Sequence, residues 1–131
     1  MKKPEPAPVT TAELAVLEVL WARGDLSIRE IAVALYPGGG TSEYATVQKL
    51  LERLQTKGFV ARDRRSFAHT FKPVVKRGEL IGLELEKVAE KLCEGSMTPL
   101  LTHLVEMTRL SEEDRAALRH LLDADSKKRR R

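Results

Sequence analysis

The sequence is poor in the residues that build most chemical sites. It has one cysteine, Cys93, and three histidines far apart along the chain, His69, His103 and His120. One cysteine excludes an intrachain disulfide framework and a Cys-rich metal cluster. No order of Ser, His, Asp or Cys indicates a catalytic centre. We therefore expect neither an enzyme nor a protein that holds a metal or another cofactor, and the role of Cys93 stays open.

Aromatic residues and long apolar runs are also scarce. Aromatic residues make up 5% of the chain and hydrophobic residues 42%, which indicates a core of Leu, Val and Ala, as in helical proteins. No apolar run approaches the roughly 18 residues that span a bilayer, and Met-Lys-Lys-Pro is not followed by the apolar region of a signal peptide. We expect a soluble, cytoplasmic protein with no membrane partner.

Charge is distributed unevenly along the 131 residues. The chain has a net charge of +4, and residues 41–76 hold eight cationic and three anionic side chains, against six and eleven in residues 77–125. A basic half followed by an acidic one is typical of a nucleic-acid-binding region attached to a region with another role. The terminal KKRRR either adds DNA contacts without sequence preference or is a solvated basic end.

The stretch Thr41–Val60 has the periodicity of an amphipathic helix. Its apolar positions are Val47, Leu50, Leu51 and Leu54. Thr41 or Ser42 is expected to cap the first turn, and Gly58 to end the helix in the left-handed conformation.

The opposite face of this helix begins with small, hydrogen-bonding side chains and becomes cationic. A helix that enters a DNA major groove needs this combination for base edges and flanking phosphates. The residues predicted to contact DNA are Ser42, Ala45, Thr46, Gln48, Lys49 and Arg53. The alternative is an ordinary solvated helix face, and the flanking segments decide between the two.

Two short helices are predicted before this one. Capping boxes at Thr10–Glu13 and Ser27–Glu30 open them, and Trp21, at helical spacing with leucines, is interpreted as a core residue. The glycines of Gly38–Gly40 are followed by no Lys-Ser/Thr and preceded by no strand, so they indicate a turn rather than a phosphate loop. The pattern predicts a helix-turn-helix.

After Gly58 the period changes to two, which predicts strands over residues 59–63 and 67–71. Phe67, His69 and Phe71 would share one side of the second strand. The hairpin is interpreted as the wing of a winged helix, with arginines at its tip against phosphates or a minor groove. These arginines are Arg62, Arg64 and Arg65.

Helical spacing returns over residues 76–94, and further helices are predicted to open at Thr98-Pro99 and at Ser111. Their apolar positions exceed what a small monomer easily buries, which favours a homodimer that reads a palindromic site. The alternative is that these helices fold back on their own domain. The predicted dimerisation residues are Ile81, Leu85, Val88, Leu92, Leu101, Leu104, Leu118 and Leu121.

In this arrangement the chain resembles the penicillinase repressor family, the winged-helix regulators of the BlaI and MecI type. The resemblance covers about residues 9–124. It rests on T-x-x-E-L with L-W (Thr10–Trp21), S-I-R-E-I (Ser27–Ile31), A-T-V-Q-K-L-L-E-R-L-x-x-K-G-F-V (Ala45–Val60), F-K-P (Phe71–Pro73) and the C-terminal G-S, L-x-x-L-V-E and L-S-E-E-D.

The resemblance implies a mainly α fold with a small β-hairpin, in which a winged helix-turn-helix domain precedes a helical dimerisation domain. The predicted divisions are a flexible arm at 1–9, the DNA-binding domain at 10–74, the dimerisation domain at 76–124 and a basic tail at 125–131. It also implies a repressor that binds a dyad-symmetric operator, with base-reading positions at Ala45, Thr46, Gln48 and Lys49.

The resemblance leaves the inducing signal open. Antibiotic-resistance members are inactivated by cleavage of an Asn-Phe bond, and His103-Leu104 stands at the matching position here. Copper-responsive relatives use a Cys-x-Cys pair that this chain lacks. A winged-helix module that binds another protein, with no DNA-reading role, is the alternative function.

Overall fold

The structure is a computed structural model that describes residues 9–106 and 110–129. Within these residues, the chain divides into two compact units, the first ending at Leu85 and the second beginning at Glu86. The secondary structure elements are α1 (Thr11–Arg23), β1 (Leu26–Ser27), α2 (Ile28–Leu35), α3 (Thr41–Thr56), β2 (Val60–Asp63), β3 (Thr70–Pro73), α4 (Arg77–Leu92), α5 (Thr98–Glu106) and α6 (Glu112–Arg129).

The predicted capping boxes open the first two helices. Thr10 Oγ1 accepts from the Glu13 amide at 3.1 Å, and Glu13 Oε1 accepts from the Thr10 amide at 2.9 Å. Ser27 and Glu30 repeat the pattern at 3.2 and 2.9 Å. Each box satisfies amides that the first turn of a helix leaves without intrahelical partners.

The first unit has one hydrophobic core, to which α1, α2, α3 and the sheet all contribute. Phe71 is the largest of its fully buried side chains, and Leu17, Ile31 and Leu51 join it from the three helices. Trp21 packs against this core and donates its indole N–H to the Val75 carbonyl at 2.8 Å. Its interpretation as a core residue is confirmed.

The sheet has three antiparallel strands in the order β1-β3-β2, rather than two. Phe71 pairs with Leu26 on one side and with Arg62 on the other, so β3 is the central strand. The predicted second strand, 67–71, is therefore wrong in its bounds. Because burial of Phe71 and pairing with β1 fix the position of β3, the strand begins at Thr70, and residues 67–69 belong to the preceding loop.

Three helices and this sheet form a winged helix-turn-helix, as the sequence predicts. The first turns of α4 also belong to the first unit, because Leu80 and Leu83 pack with its core. Glu84 Oε1 accepts from the Val9 amide at 3.0 Å. The compact unit thus ends inside α4, whereas the domain boundary predicted from the sequence lies between residues 74 and 76.

The second unit contains the rest of α4 together with α5 and α6. Gly95, at φ 85°, follows the end of α4. Ser111 Oγ accepts from the Asp114 amide at 3.0 Å just before α6. Helix α6 continues to Arg129, so the first residues of the predicted basic tail are helical. None of the helices in residues 9–106 and 110–129 is long and apolar enough to cross a membrane.

Candidate nucleic-acid interface

Helix α3 divides into a buried and an exposed face as its periodicity predicts. The four apolar positions, Val47, Leu50, Leu51 and Leu54, are all buried in the core. Because the core holds one face, the opposite face is presented to solvent along the whole helix. All six residues predicted to contact DNA from α3 are exposed.

The start of α3 differs from the prediction. Thr41 is its first residue, and Gly40 occupies the N-cap position without a side chain to cap the turn. The Glu43 carboxylate instead accepts from the Gly40 amide at 2.8 Å. The expected cap by Thr41 or Ser42 is therefore wrong, because the glycine turn places the helix boundary one residue earlier. The predicted end is confirmed, since Gly58 adopts φ 82°.

The exposed face of α3 has two flanks, because successive residues are about 100° apart around a helix. Tyr44 and Gln48 lie on the flank toward the wing. Thr46 and Lys49 lie on the other flank, where Thr46 Oγ1 donates to the Ser42 carbonyl at 3.0 Å. The predicted reading residues are thus on both flanks, and Gln48 is the one beside the wing.

The loop 64–69 connects β2 to β3 and forms the tip of the wing. Arg65 folds back on Asp63, with Nε 3.0 Å from both carboxylate oxygens and Nη2 2.7 Å from Oδ2. Hydrogen bonds from the Arg65 side chain and backbone lower the pKa of Asp63 to about 2. Ser66 Oγ donates to the Ala68 carbonyl at 2.6 Å and closes the turn.

The three wing arginines have different environments. Arg62 is not at the tip: it lies in β2, half-buried, with its guanidinium 4.8 Å from the Phe71 ring centroid. Its Nε has no hydrogen-bond partner among the described residues. The prediction of Arg62 at the tip is wrong because the strand continues to Asp63. Arg64 and Arg65 are both exposed at the tip.

A groove of about 890 Å³ separates α3 from the wing, and we call it the α3–wing groove. Its walls come from α2, the glycine turn, the start of α3 and the wing. The side chains on these walls include Arg29, Tyr44, Gln48, Arg62, Phe67 and His69. Sequence reasoning did not select Arg29, Tyr44 or Phe67 for this surface. The helical position of Tyr44 beside Gln48 was the one available signal.

Residues 9–124 match the family model of the penicillinase repressors. The chain belongs to the penicillinase repressor family. It is 36% identical over 112 residues to the transcriptional regulator BlaI of Mycobacterium tuberculosis, which covers 84% of this chain and 79% of BlaI. An uncharacterized 16.5 kDa protein of Latilactobacillus sakei is 27% identical over 116 residues, covering 88% and 79%.

Two solved structures are similar to this penicillinase repressor family member. The solution structure of the DNA-binding domain of the repressor BlaI is 21% identical, covers 60% of this chain and 93% of its own, and has a TM-score of 0.47. A MarR family protein from Bacillus stearothermophilus is also 21% identical, covers 95% and 78%, and has a TM-score of 0.46.

In this penicillinase repressor family member, a buried ion pair holds the far end of α3. Lys57 Nζ is 2.6 Å from Glu13 Oε1, and the Glu13 side chain is 0% exposed. Burial alone would raise the pKa of Glu13, but hydrogen bonds from Lys57 and Thr10 outweigh it and lower the pKa. The pair links the first turn of α1 to the residue that follows α3. Sequence reasoning found the capping role of Glu13 but not this partner.

All but one of the predicted dimerisation residues are exposed in the chain. Along α4, Ile81, Leu85, Val88 and Leu92 are between 37% and 73% exposed. No described residue of α5 or α6 is buried. In α5 and α6, Leu101, Leu104 and Leu121 are exposed, and Leu118 is partly buried. Within the described part of the chain, no three His, Cys, Asp or Glu side chains are grouped to hold a metal ion.

Proposed function

We propose that this transcriptional regulator is a repressor that binds a dyad-symmetric DNA operator as a homodimer. The observation that carries the proposal is the exposed face of α3 beside a basic wing. All six residues selected from the sequence are on that face. Cations next to a helix of groove-compatible width supply the attraction to phosphates that nucleic-acid binding requires.

In this proposal, α3 enters the major groove and reads bases with its first two turns. Gln48 offers a bidentate contact to adenine, and Lys49 reaches guanine acceptors. The Thr46 hydroxyl already donates to the Ser42 carbonyl, so Thr46 contributes chiefly its methyl group, which suits thymine. Ser42 and Ala45 permit close approach, and the remaining cation of the set, Arg53, contacts a flanking phosphate.

The wing supplies contacts that depend little on sequence. Arg64 is exposed and unpaired among the described residues, so it is the wing residue best suited to a phosphate. Arg65 forms an ion pair with Asp63, and this pair reduces the positive charge that Arg65 presents to DNA. Arg62 lines the α3–wing groove, so it would contact a DNA strand that lies in this groove.

The homodimer accounts for the apolar surface of the C-terminal helices. Four exposed apolar residues on one stripe of α4, with exposed leucines on α5 and α6, would otherwise remain in water. A second copy would bury them, and its two-fold axis would present two α3 helices to an inverted repeat about one helical turn apart. The alternative is that these helices fold back on their own domain, and a monomeric parent in sedimentation would favour it.

The second candidate function is a winged-helix module that binds protein and not DNA. The same arginines would then meet an acidic partner. The two functions differ in their response to salt and to base sequence, since only the first requires discrimination among DNA duplexes.

Selection of bound duplexes from a random DNA pool tests the proposal. We expect an inverted repeat to be enriched, and Gln48→Ala to weaken binding to it by about 1–3 kcal/mol while random DNA changes much less. The control is Lys91→Ala, which replaces an exposed side chain outside the winged helix and should leave the discrimination between the two kinds of DNA unchanged. If no sequence is enriched, or if the Gln48, Thr46 and Lys49 alanine variants all keep full discrimination, α3 does not read DNA.

A further inference from the structure

Phe67 is a large apolar residue that the described part of the chain leaves uncovered. Its side chain is 106% exposed, the highest value among the large hydrophobic residues that the structure describes. The loop around it is nevertheless held in place, because Ser66 Oγ donates to the Ala68 carbonyl and Arg65 is bound to Asp63. Because the loop is fixed by these hydrogen bonds and still exposes the phenyl ring to water, the ring is suited to contact another molecule.

The position of Phe67 indicates what that partner is. Phe67 is on the wing side of the α3–wing groove, and Tyr44 and Gln48 are on its helix side. In a duplex, a single sugar-phosphate strand separates the major groove from the adjacent minor groove. With α3 in the major groove, that strand falls in the α3–wing groove, and the tip of the wing lies beyond it.

The charges on this surface agree with a DNA strand as the occupant. Arg29 on α2 and Arg62 on β2 both line the groove, and Arg64 is exposed in the same loop as Phe67. Glu43 is the acidic residue that lines the same groove, and its carboxylate accepts a hydrogen bond from the Gly40 amide at 2.8 Å. Cations along a groove with an apolar residue beyond it suit a phosphate strand followed by the edges of bases.

We propose that Phe67 is an apolar minor-groove contact, seated on base edges when the α3–wing groove holds the intervening strand. Phenylalanine is one of the side chains that proteins insert as wedges at minor-groove base steps. The inference rests on the proposed DNA binding and extends it, because it assigns an apolar side chain of the wing, and not only its arginines, a contact with DNA.

The first test compares Phe67→Ala with the parent on a 40-base-pair duplex obtained by selection from a random pool. We expect Phe67→Ala to bind about ten-fold more weakly at fixed salt, because the variant no longer buries the phenyl ring against the base edges. The dependence of affinity on salt should stay unchanged, because a phenyl ring releases no counterions. Phe67→Leu should recover part of the loss. Val74→Ala, at an exposed apolar residue of the same domain outside the groove, should bind like the parent.

The second test asks whether the contact is in the minor groove. Hydroxyl-radical footprinting locates the base pairs under the wing, and guanines there are replaced by inosine, which removes the amino group of the minor groove. The parent should bind the inosine duplex more tightly than the original. Phe67→Ala should bind both equally.

Several results would overturn the inference. If Phe67→Ala binds both duplexes as tightly as the parent does, the inference is wrong. It is also wrong if the loss of affinity is accompanied by a lower salt dependence, because that combination indicates a phosphate contact. A marked fall in the melting temperature of Phe67→Ala also overturns it, because the ring would then pack within the protein. Failure of the parent to bind any selected duplex is a different result, since it removes the proposed function itself.

Discussion

The buried pair between Glu13 and Lys57 gives the sharpest stability prediction. The Glu13 carboxylate is fully buried, its Oε1 accepts from Lys57 Nζ and the Thr10 amide, and its Oε2 has no partner among the described residues. In Lys57→Met the Glu13 carboxylate therefore stays buried and charged, and it keeps the hydrogen bond from the Thr10 amide but loses the one from Lys57. Removal of one partner from a buried pair costs about 3–5 kcal/mol, a large share of the roughly 5–15 kcal/mol that stabilises a typical domain.

Thermal unfolding of the full chain at pH 7, monitored by circular dichroism, measures this effect. For a domain of this size the expected loss corresponds to a fall in melting temperature of more than about 10 °C. Glu13→Leu combined with Lys57→Met should be much less destabilised than the sum of the single variants, because the double variant buries no unpaired charge. Arg129→Met, which removes an exposed pair with Asp125, should change stability by no more than about 0.5 kcal/mol.

The pH dependence provides an independent check with a definite sign. The folded-state pKa of Glu13 lies below its ordinary value of 4.5, so ionised Glu13 stabilises the fold above that pH. The contribution is lost as the pH falls through the depressed value, and the gap between the parent and Lys57→Met should close below about pH 4.5. A Lys57→Met variant within about 0.5 kcal/mol of the parent at pH 7, with a gap independent of pH, would refute this account.

Three further predictions concern the wing and the C-terminal helices. Leu85→Asp or Val88→Asp should convert a dimer into a monomer in sedimentation at tens of micromolar, since an aspartate in a packed seam is an unpaired buried charge; a parent that is already monomeric contradicts the proposed dimer. Arg64→Ala should weaken binding to all duplexes alike and reduce the salt dependence by about one unit, and a change of base preference would contradict a phosphate contact. Asp63→Asn should release Arg65 toward DNA and raise the salt dependence, whereas an unchanged slope would show that Arg65 does not reach a phosphate.

Local signals in the sequence determined the helices and the course of α3. The boxes at Thr10 and Ser27 satisfy amides within three residues of themselves, so their hydrogen bonds depend on almost nothing distant. The spacing of Val47, Leu50 and Leu51 follows from 3.6 residues per turn, and it selects one buried face wherever the core lies. Because the opposite face must then be exposed, the candidate DNA-contacting residues of α3 could be chosen without coordinates.

Tertiary structure decided the features that join distant parts of the chain. The two-residue strand β1 is too short to leave a periodic signal and exists because β3 pairs with it. Lys57 meets Glu13 across 44 positions, a separation at which no sequence pattern pairs one lysine with one carboxylate. Phe67 is spaced from Phe71 as a strand residue on the same side would be, yet pairing fixes the start of β3 at Thr70 and leaves Phe67 in the loop. Hydrogen-bond register and burial are set by the whole core, which is why the wing surface emerged only from the folded chain.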